Sequence, residues 1–153
     1  MNNQTRLEEL PGFLVRRLGQ ISTALFLEET AGLDLTPPQY GVLMTIAAEP
    51  GRDQTFLSCR TALDRATITG VVDRLETRGL IRREVDPDNR RARLLYPTPD
   101  GLALLDRTGG RVDKVTEKLL SPLPADEQRL FLDLLRRLVE GNNQASRVPM
   151  RAG

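Results

Sequence analysis

A chain of 153 residues, 39% hydrophobic and with a net charge of +1, is long enough for one packed domain or for a head with an oligomerisation arm. A balance so near neutral excludes recognition of nucleic acid by bulk charge, so any electrostatic case rests on where the cations lie. One cysteine, Cys59, excludes an intrachain disulfide and a cysteine metal cage, and the absence of histidine removes the commonest general base and metal ligand.

The N-terminus lacks the charged-then-apolar pattern of a secretory signal and no stretch has the length of a membrane span, so a cytoplasmic location is expected and no membrane partner. From Leu10 to about Thr30, Leu14, Leu18, Ile21 and Leu25 form an apolar stripe that predicts one long amphipathic helix. Phe13, Arg17, Gln20 and Ala24 form a second strip beside it, with Arg16 further round. The stripe needs either a second subunit or packing within the monomer.

Thr36-Pro37-Pro38 opens the next helix with a hydroxyl cap and a first-turn proline. Tyr40, Val42, Leu43, Ile46 and Ala47 form its buried face, and Glu49-Pro50-Gly51 stops it. A short helix beginning at Asp53 or Gln54 and containing Phe56, Leu57, Cys59 and Leu63 reads as the bracing limb of a helix-turn-helix.

The second limb starts at Asp64, whose carboxylate suits an N-cap, and Ile68, Val71, Val72 and Leu75 make one face apolar. The other face carries Arg65, Thr67, Thr69, Gly70, Asp73 and Arg74. Glycine costs about 1 kcal/mol against alanine inside a helix, so Gly70 marks either simple tolerance or a surface that must approach something bulky. Gly79 supplies a left-handed C-cap, and Leu80-Ile81 begins an extended segment running to Val85. Asp86-Pro87-Asp88-Asn89 is a turn, and Ala92, Leu94 and Tyr96 alternate with Arg93 and Leu95 on the returning strand. Arg90 and Arg91 fall near the hairpin tip. A helix shaped for the major groove beside an arginine-tipped ribbon is the physical plan of a winged helix-turn-helix that binds double-stranded DNA.

Cations do cluster here: Arg60, Arg65, Arg74, Arg78, Arg82, Arg83, Arg90, Arg91 and Arg93 crowd the head, diluted by Asp73, Glu76, Glu84, Asp86 and Asp88. Arginine's flat fork suits guanine edges and narrow minor grooves, but its preference over lysine also fits a GC-rich genome. Beyond the hairpin, Thr98-Pro99 starts a long helix carried by Leu102, Leu105, Val112, Val115 and Leu119 toward Leu120 and interrupted at Gly109-Gly110. Pro122 and Pro124 break it, Leu130, Leu134, Leu135 and Leu138 form a last amphipathic helix, and the tail 142–153 is expected to be disordered.

These motifs resemble the MarR family of bacterial transcriptional regulators. The resemblance runs through the Ser/Thr-rich helix at Thr67-Thr69, the Val-Asp-Arg-Leu-Glu run at Val72-Glu76, Gly79-Leu80, the wing Asp86-Ala92 and the helix start Thr98-Gly101. Two departures stand out: Asn89 replaces an aspartate that braces the wing arginine, and Pro97 replaces a leucine. The resemblance implies a single domain over 1–153, mainly α with a small β-hairpin wing, divided into a winged helix-turn-helix head at 36–97 and a helical dimerisation region at 4–31 and 99–141. It implies a homodimer on a near-palindromic operator, with Arg65, Thr67, Thr69, Gly70, Arg74, Arg90 and Arg91 toward DNA and Asp88 and Asn89 bracing the wing.

It further implies a small-molecule effector that alters head spacing, and no cofactor. The opening Leu10-Pro-Gly-Phe-Leu-Val-Arg-Arg-Leu-Gly-Gln resembles the branch that senses aromatic carboxylates, which nominates Phe13, Arg16, Arg17 and Gln20 as effector residues. A salt bridge between helices is the competing role for Arg17. Two rival functions stay open, a redox response through Cys59 and a helical dimeric interaction module without DNA binding. An enzyme is the weakest reading, because scattered Asp and Glu would have to carry the chemistry without histidine, phosphate loop or metal spacing.

Overall fold

The structure is a computed structural model that describes residues 3–151. It opens with α1 (Asn3–Glu8) and α2 (Pro11–Glu29), so the expected first helix is preceded by a short extra one. Leu10 separates them in an extended conformation, as a residue before proline prefers. Phe26, outside the predicted stripe, is the buried residue of α2, and its ring lies 5.8 Å from that of Tyr40.

Helix α3 (Pro37–Ala48) carries a complete capping box: Thr36 Oγ1 accepts from the Gln39 N–H, and Gln39 Oε1 accepts from the Thr36 N–H. That exchange satisfies Gln39 although it is buried beside Val42, Leu43 and Ile46. Helix α4 (Gln54–Thr61) is capped by Asp53, which accepts from the Phe56 N–H at 2.9 Å. It ends at Ala62 in the left-handed region (φ 54°), so Leu63, expected inside this helix, lies in the turn instead.

Helix α5 (Arg65–Thr77) starts as predicted, with Asp64 accepting from the Thr67 N–H at 2.8 Å, and buries Ile68, Val71, Val72 and Leu75 against α3 and α4. Gly79 takes φ 70°, and β1 (Ile81–Val85) pairs antiparallel with β2 (Arg93–Pro97) in the register Ile81↔Pro97 to Val85↔Arg93. Only the inward-facing Leu95 of β2 is fully buried. The loop after α3 joins this hairpin: the Gly51 N–H donates to Leu95 O at 2.8 Å and the Leu95 N–H to Arg52 O at 3.0 Å. The wing is thereby anchored at its root to the bracing half of the head.

Helix α6 (Pro99–Leu120) runs unbroken through Gly109-Gly110, contrary to the expected interruption. A Cβ at either glycine would meet nothing within 4 Å, so this protomer provides no close packing that requires them. Its buried side is Gly101, Leu104, Thr108, Val115 and Leu120, and Leu102 points outward. Thr108 is accommodated by donating to Leu104 O at 2.7 Å. Arg111 donates to Glu29 O and Ala31 O, and Lys118 pairs with Glu28 and Glu29, fastening α6 to the end of α2. The Lys118 hydrogen bond holds the Glu29 carboxyl below its ordinary range, and the two carboxylates push Lys118 up.

Helix α7 (Ala125–Gly141) buries none of its residues. The tail beyond it is described as far as Arg151. A 3-10 turn at Asn143–Ala145 leads into a loop closed by Asn143 Nδ2 donating to Met150 O and the Met150 N–H donating to Asn143 Oδ1, and the Arg151 N–H then donates to Cys59 O at 3.2 Å. The Asn143 side chain and the Arg151 backbone N–H thus hold this segment, and its last two positions lie outside the described residues. No helix among the described residues is long and apolar enough to cross a membrane.

Candidate nucleic-acid interface

The apolar residues of α5 are spent on the core, which leaves Arg65, Thr67, Thr69, Gly70 and Arg74 exposed. At about 100° per residue, Arg65 and Arg74 are about 180° apart, on opposite edges of that exposed face. They face different surroundings. Arg65 lines a polar cleft of about 330 Å³ between the start of α4, the start of α5 and the hairpin, together with Gln54, Thr55, Asn89, Arg91 and Arg93. Arg74 lines another, of about 320 Å³, with Asp34, Gln39, Asp73, Thr77 and Arg78.

The structure sorts the head's arginines by occupation. Arg83 is paired with Asp73 and Glu76, Arg82 is paired with Glu84 and lies over the Tyr96 ring at 4.5 Å, and Arg78 donates to Leu33 O and Asp34 O. Arg93 donates to Arg90 O and Ala92 O across the base of the turn. Arg65, Arg74, Arg90 and Arg91 are exposed and form no ion pair among the described residues. Of these, the cleft brings Arg65 and Arg91 together.

Wing bracing differs in detail from expectation. Asn89 Oδ1 accepts from the Arg91 backbone N–H at 3.2 Å instead of from the Arg90 side chain, and Asp86 Oδ1 accepts from the Asp88 N–H at 2.9 Å. Short Asx side chains naturally reach the backbone two residues on, which stiffens the turn and leaves both arginine side chains for other partners. Asp88, expected to brace the wing, contributes its backbone N–H among the described hydrogen bonds.

Gln54, not singled out in the sequence, reaches α5: Thr69 Oγ1 lies 3.2 Å from Gln54 Oε1 and 2.9 Å from Arg65 O. A hydroxyl has one proton to donate, so these two bonds are alternatives, and both orient Thr69 relative to Arg65. The only hint in the sequence was the place of Gln54 at the start of the bracing limb. Cys59 is half-buried in α4 and free, its carbonyl holding the tail.

The four effector candidates fall away from the large cleft of this protomer. An apolar cavity of about 620 Å³ lies between α2, α6 and α7, walled by residues that include Leu18, Phe26, Val115 and Phe131, with hydroxyls from Ser22, Thr23, Tyr40 and Thr116. From α2 it takes Leu14, Val15, Leu18, Gly19, Ser22 and Thr23. Helical geometry then turns Phe13, Arg17 and Gln20 to the opposite side and Arg16 to the flank. Arg16 stacks 5.2 Å from the Phe13 ring, and Arg17 donates to Gln20 Oε1 at 3.0 Å, both on exposed surface.

Gly70 is exposed, and an added Cβ would meet no protein atom within 4 Å. Gly70→Ala should therefore raise stability by up to about 1 kcal/mol through helix propensity alone. If this face seats closely on DNA, the same methyl lowers duplex affinity. A melting curve and a binding titration on one preparation give both signs; higher stability with unchanged affinity would show that Gly70 is merely tolerated.

Residues 35–92 match the model of the MarR family. Among solved structures, the PcaV transcriptional regulator from Streptomyces coelicolor, in complex with its natural ligand, superposes with a TM-score of 0.81 at 42% identity, covering 88% of this chain and 94% of that one. The transcriptional repressor CouR, bound to a 23-mer DNA duplex, gives 0.83 at 31% identity over 91% of this chain and 99% of that one. BpsR of Bordetella bronchiseptica, whose DNA binding is regulated by 6-hydroxynicotinic acid, gives 0.80 at 32% identity over 85% of this chain and 93% of that one.

Proposed function

Because this chain belongs to the MarR family of winged-helix transcriptional regulators, which are not enzymes, we propose that it is a homodimeric repressor released from a near-palindromic operator by a small aromatic acid. The observation that carries the DNA half of this reading is the cleft that joins reading helix and wing, with unpaired Arg65 and Arg91 on it. In such a dimer the two reading helices enter successive major grooves about 34–36 Å apart, which makes the operator's symmetry mirror the protein's.

Dimerisation is supported by what the protomer leaves uncovered. Leu14 is 53% exposed, Leu130 56% and Leu138 60%, on two long helices whose apolar stripes are only partly covered within the protomer. Such stripes on a soluble chain mark an interaction surface.

The effector belongs in the apolar cleft between α2, α6 and α7, whose hydroxyls can orient a phenolic or pyridine ring. Its lining holds no arginine or lysine. A carboxylate entering it would need a charge-assisted partner, and in a dimer Arg16 or Arg17 of the second protomer could supply one. The ligand derepresses only by favouring the head spacing that does not fit DNA.

The test combines sedimentation with anisotropy titration against a duplex from the DNA upstream of the chain's own gene, repeated with a panel of aromatic acids. A dimer at micromolar concentration that binds this duplex and is displaced by one of the acids is expected. A monomer, or a dimer that prefers this duplex no more than a scrambled one, overturns the reading.

A further inference from the structure

The segment after α7 was expected to be a loose end, yet it lies on the DNA-reading half of the molecule. Between Asn142 and Arg151 it contains two arginines and no acidic residue. Asn143 and Met150 close it into a loop through two hydrogen bonds of 2.8 and 2.9 Å, and the Arg151 N–H fastens the far end to Cys59 O in the bracing helix α4. Val148 and Pro149 are half-buried along the way, while Arg147 and Arg151 remain exposed. Arg60, in the last turn of α4, is exposed on the same helix that receives the tail.

Arg147 lies near the start of the reading helix. The Asp64 carboxyl is held below its ordinary range first by the Thr67 backbone N–H and the Thr67 hydroxyl, and the charge of Arg147 adds to them. The placement has an electrostatic logic. Asp64 is needed as the cap of α5, but it sets a carboxylate one residue before Arg65, where a phosphate backbone would approach, and a nearby arginine offsets that repulsion. Neither tail arginine forms an ion pair among the described residues, so both fronts are open to phosphate.

We propose that residues 142–151 form a second DNA-contacting element, an arm clipped to α4 that presents Arg147 and Arg151 to the duplex phosphates flanking the reading helix. The inference rests on the DNA-binding reading above. Phosphate contacts carry no sequence information, so the arm adds affinity equally to all duplexes.

The experiment uses the full chain with Arg147 and Arg151 both changed to alanine, and in parallel both changed to lysine. Each is titrated at several salt concentrations with the upstream duplex and with a scrambled duplex of the same length. The alanine pair should weaken binding to both duplexes and reduce the salt slope by about one per arginine and head, about four for a dimer, while the lysine pair restores most of both. Both side chains are exposed, so the melting temperature should not move. If the parent binds and the alanine pair matches or exceeds it in affinity and slope, the arm is no DNA contact and the inference fails alone. A parent that binds neither duplex overturns the DNA-binding reading, and this inference with it.

Discussion

Gly101→Ala should lower the melting temperature by about 6–12 °C at fixed protein concentration, a loss on the order of 3 kcal/mol for a domain of this size. The cause is local. Gly101 sits in the first turn of α6, and a Cβ there would lie 2.1 Å from Leu80 O, 3.1 Å from Leu80 C and 3.4 Å from Leu43 Cδ1. The obstructing atom is backbone and cannot rotate aside. That carbonyl also accepts from the Thr98 N–H at 3.1 Å, while Thr98 Oγ1 donates to Gly79 O at 2.6 Å, so α6 is seated directly on the junction between α5 and β1. Making room costs about 1–3 kcal/mol for overpacking, and about 1 kcal/mol for each of these two bonds if it breaks, offset by alanine's helix propensity. Gly110→Ala, in the same helix with open space around it, should change stability by no more than about 1 kcal/mol and in the favourable direction. Equal melting temperatures for the two variants would remove the close approach at Gly101 as an explanation.

That contrast shows what could and could not be read from the chain alone. The Thr98-to-Gly101 motif announced a helix start, but nothing local distinguishes Gly101 from Gly110, because the Leu80 carbonyl that makes one indispensable is twenty-one residues away in sequence. Capping at Thr36, Asp64 and Thr98 was legible because each cap is a bargain between residues three apart, whereas the start of α4 was left open between Asp53, which caps it, and Gln54. The buried face of α5 was legible because one period describes it. In α2 the same reasoning picked the stripe from Leu14 to Leu25 and passed over Phe26, since periodicity finds an apolar face without saying which part of it this protomer covers. At the candidate interface, Arg65 and Arg91 could be named separately, but only the folded chain puts them on one cleft and sets Arg74 apart. Gln54 was invisible for the same reason, being fifteen residues from the Thr69 it meets.

Arg65→Ala should cost more operator affinity than any other single change on this face, and it should cost discrimination as well. Arg65 is the first residue of α5, where the end of a reading helix reaches deepest into a major groove, and its guanidinium forms no ion pair among the described residues. One bidentate contact to a guanine edge is worth about 1–3 kcal/mol of discrimination. A dimer uses it twice, so the loss amounts to roughly 30-fold to 20,000-fold in affinity. Arg91→Ala and Arg90→Ala should behave differently: wing arginines that meet phosphate or a narrow groove contribute chiefly through counterions, so each should weaken binding to operator and scrambled duplexes alike and lower the salt slope by about one per head. Asp64→Ala would confuse the measurement by loosening the whole helix start, whereas Arg65 is exposed and makes no packing contribution to the core. The decisive quantity is the ratio of operator to scrambled affinity. Should Arg65→Ala leave that ratio intact while lowering both affinities, Arg65 is a phosphate contact, and base reading must fall to Thr67 and Thr69.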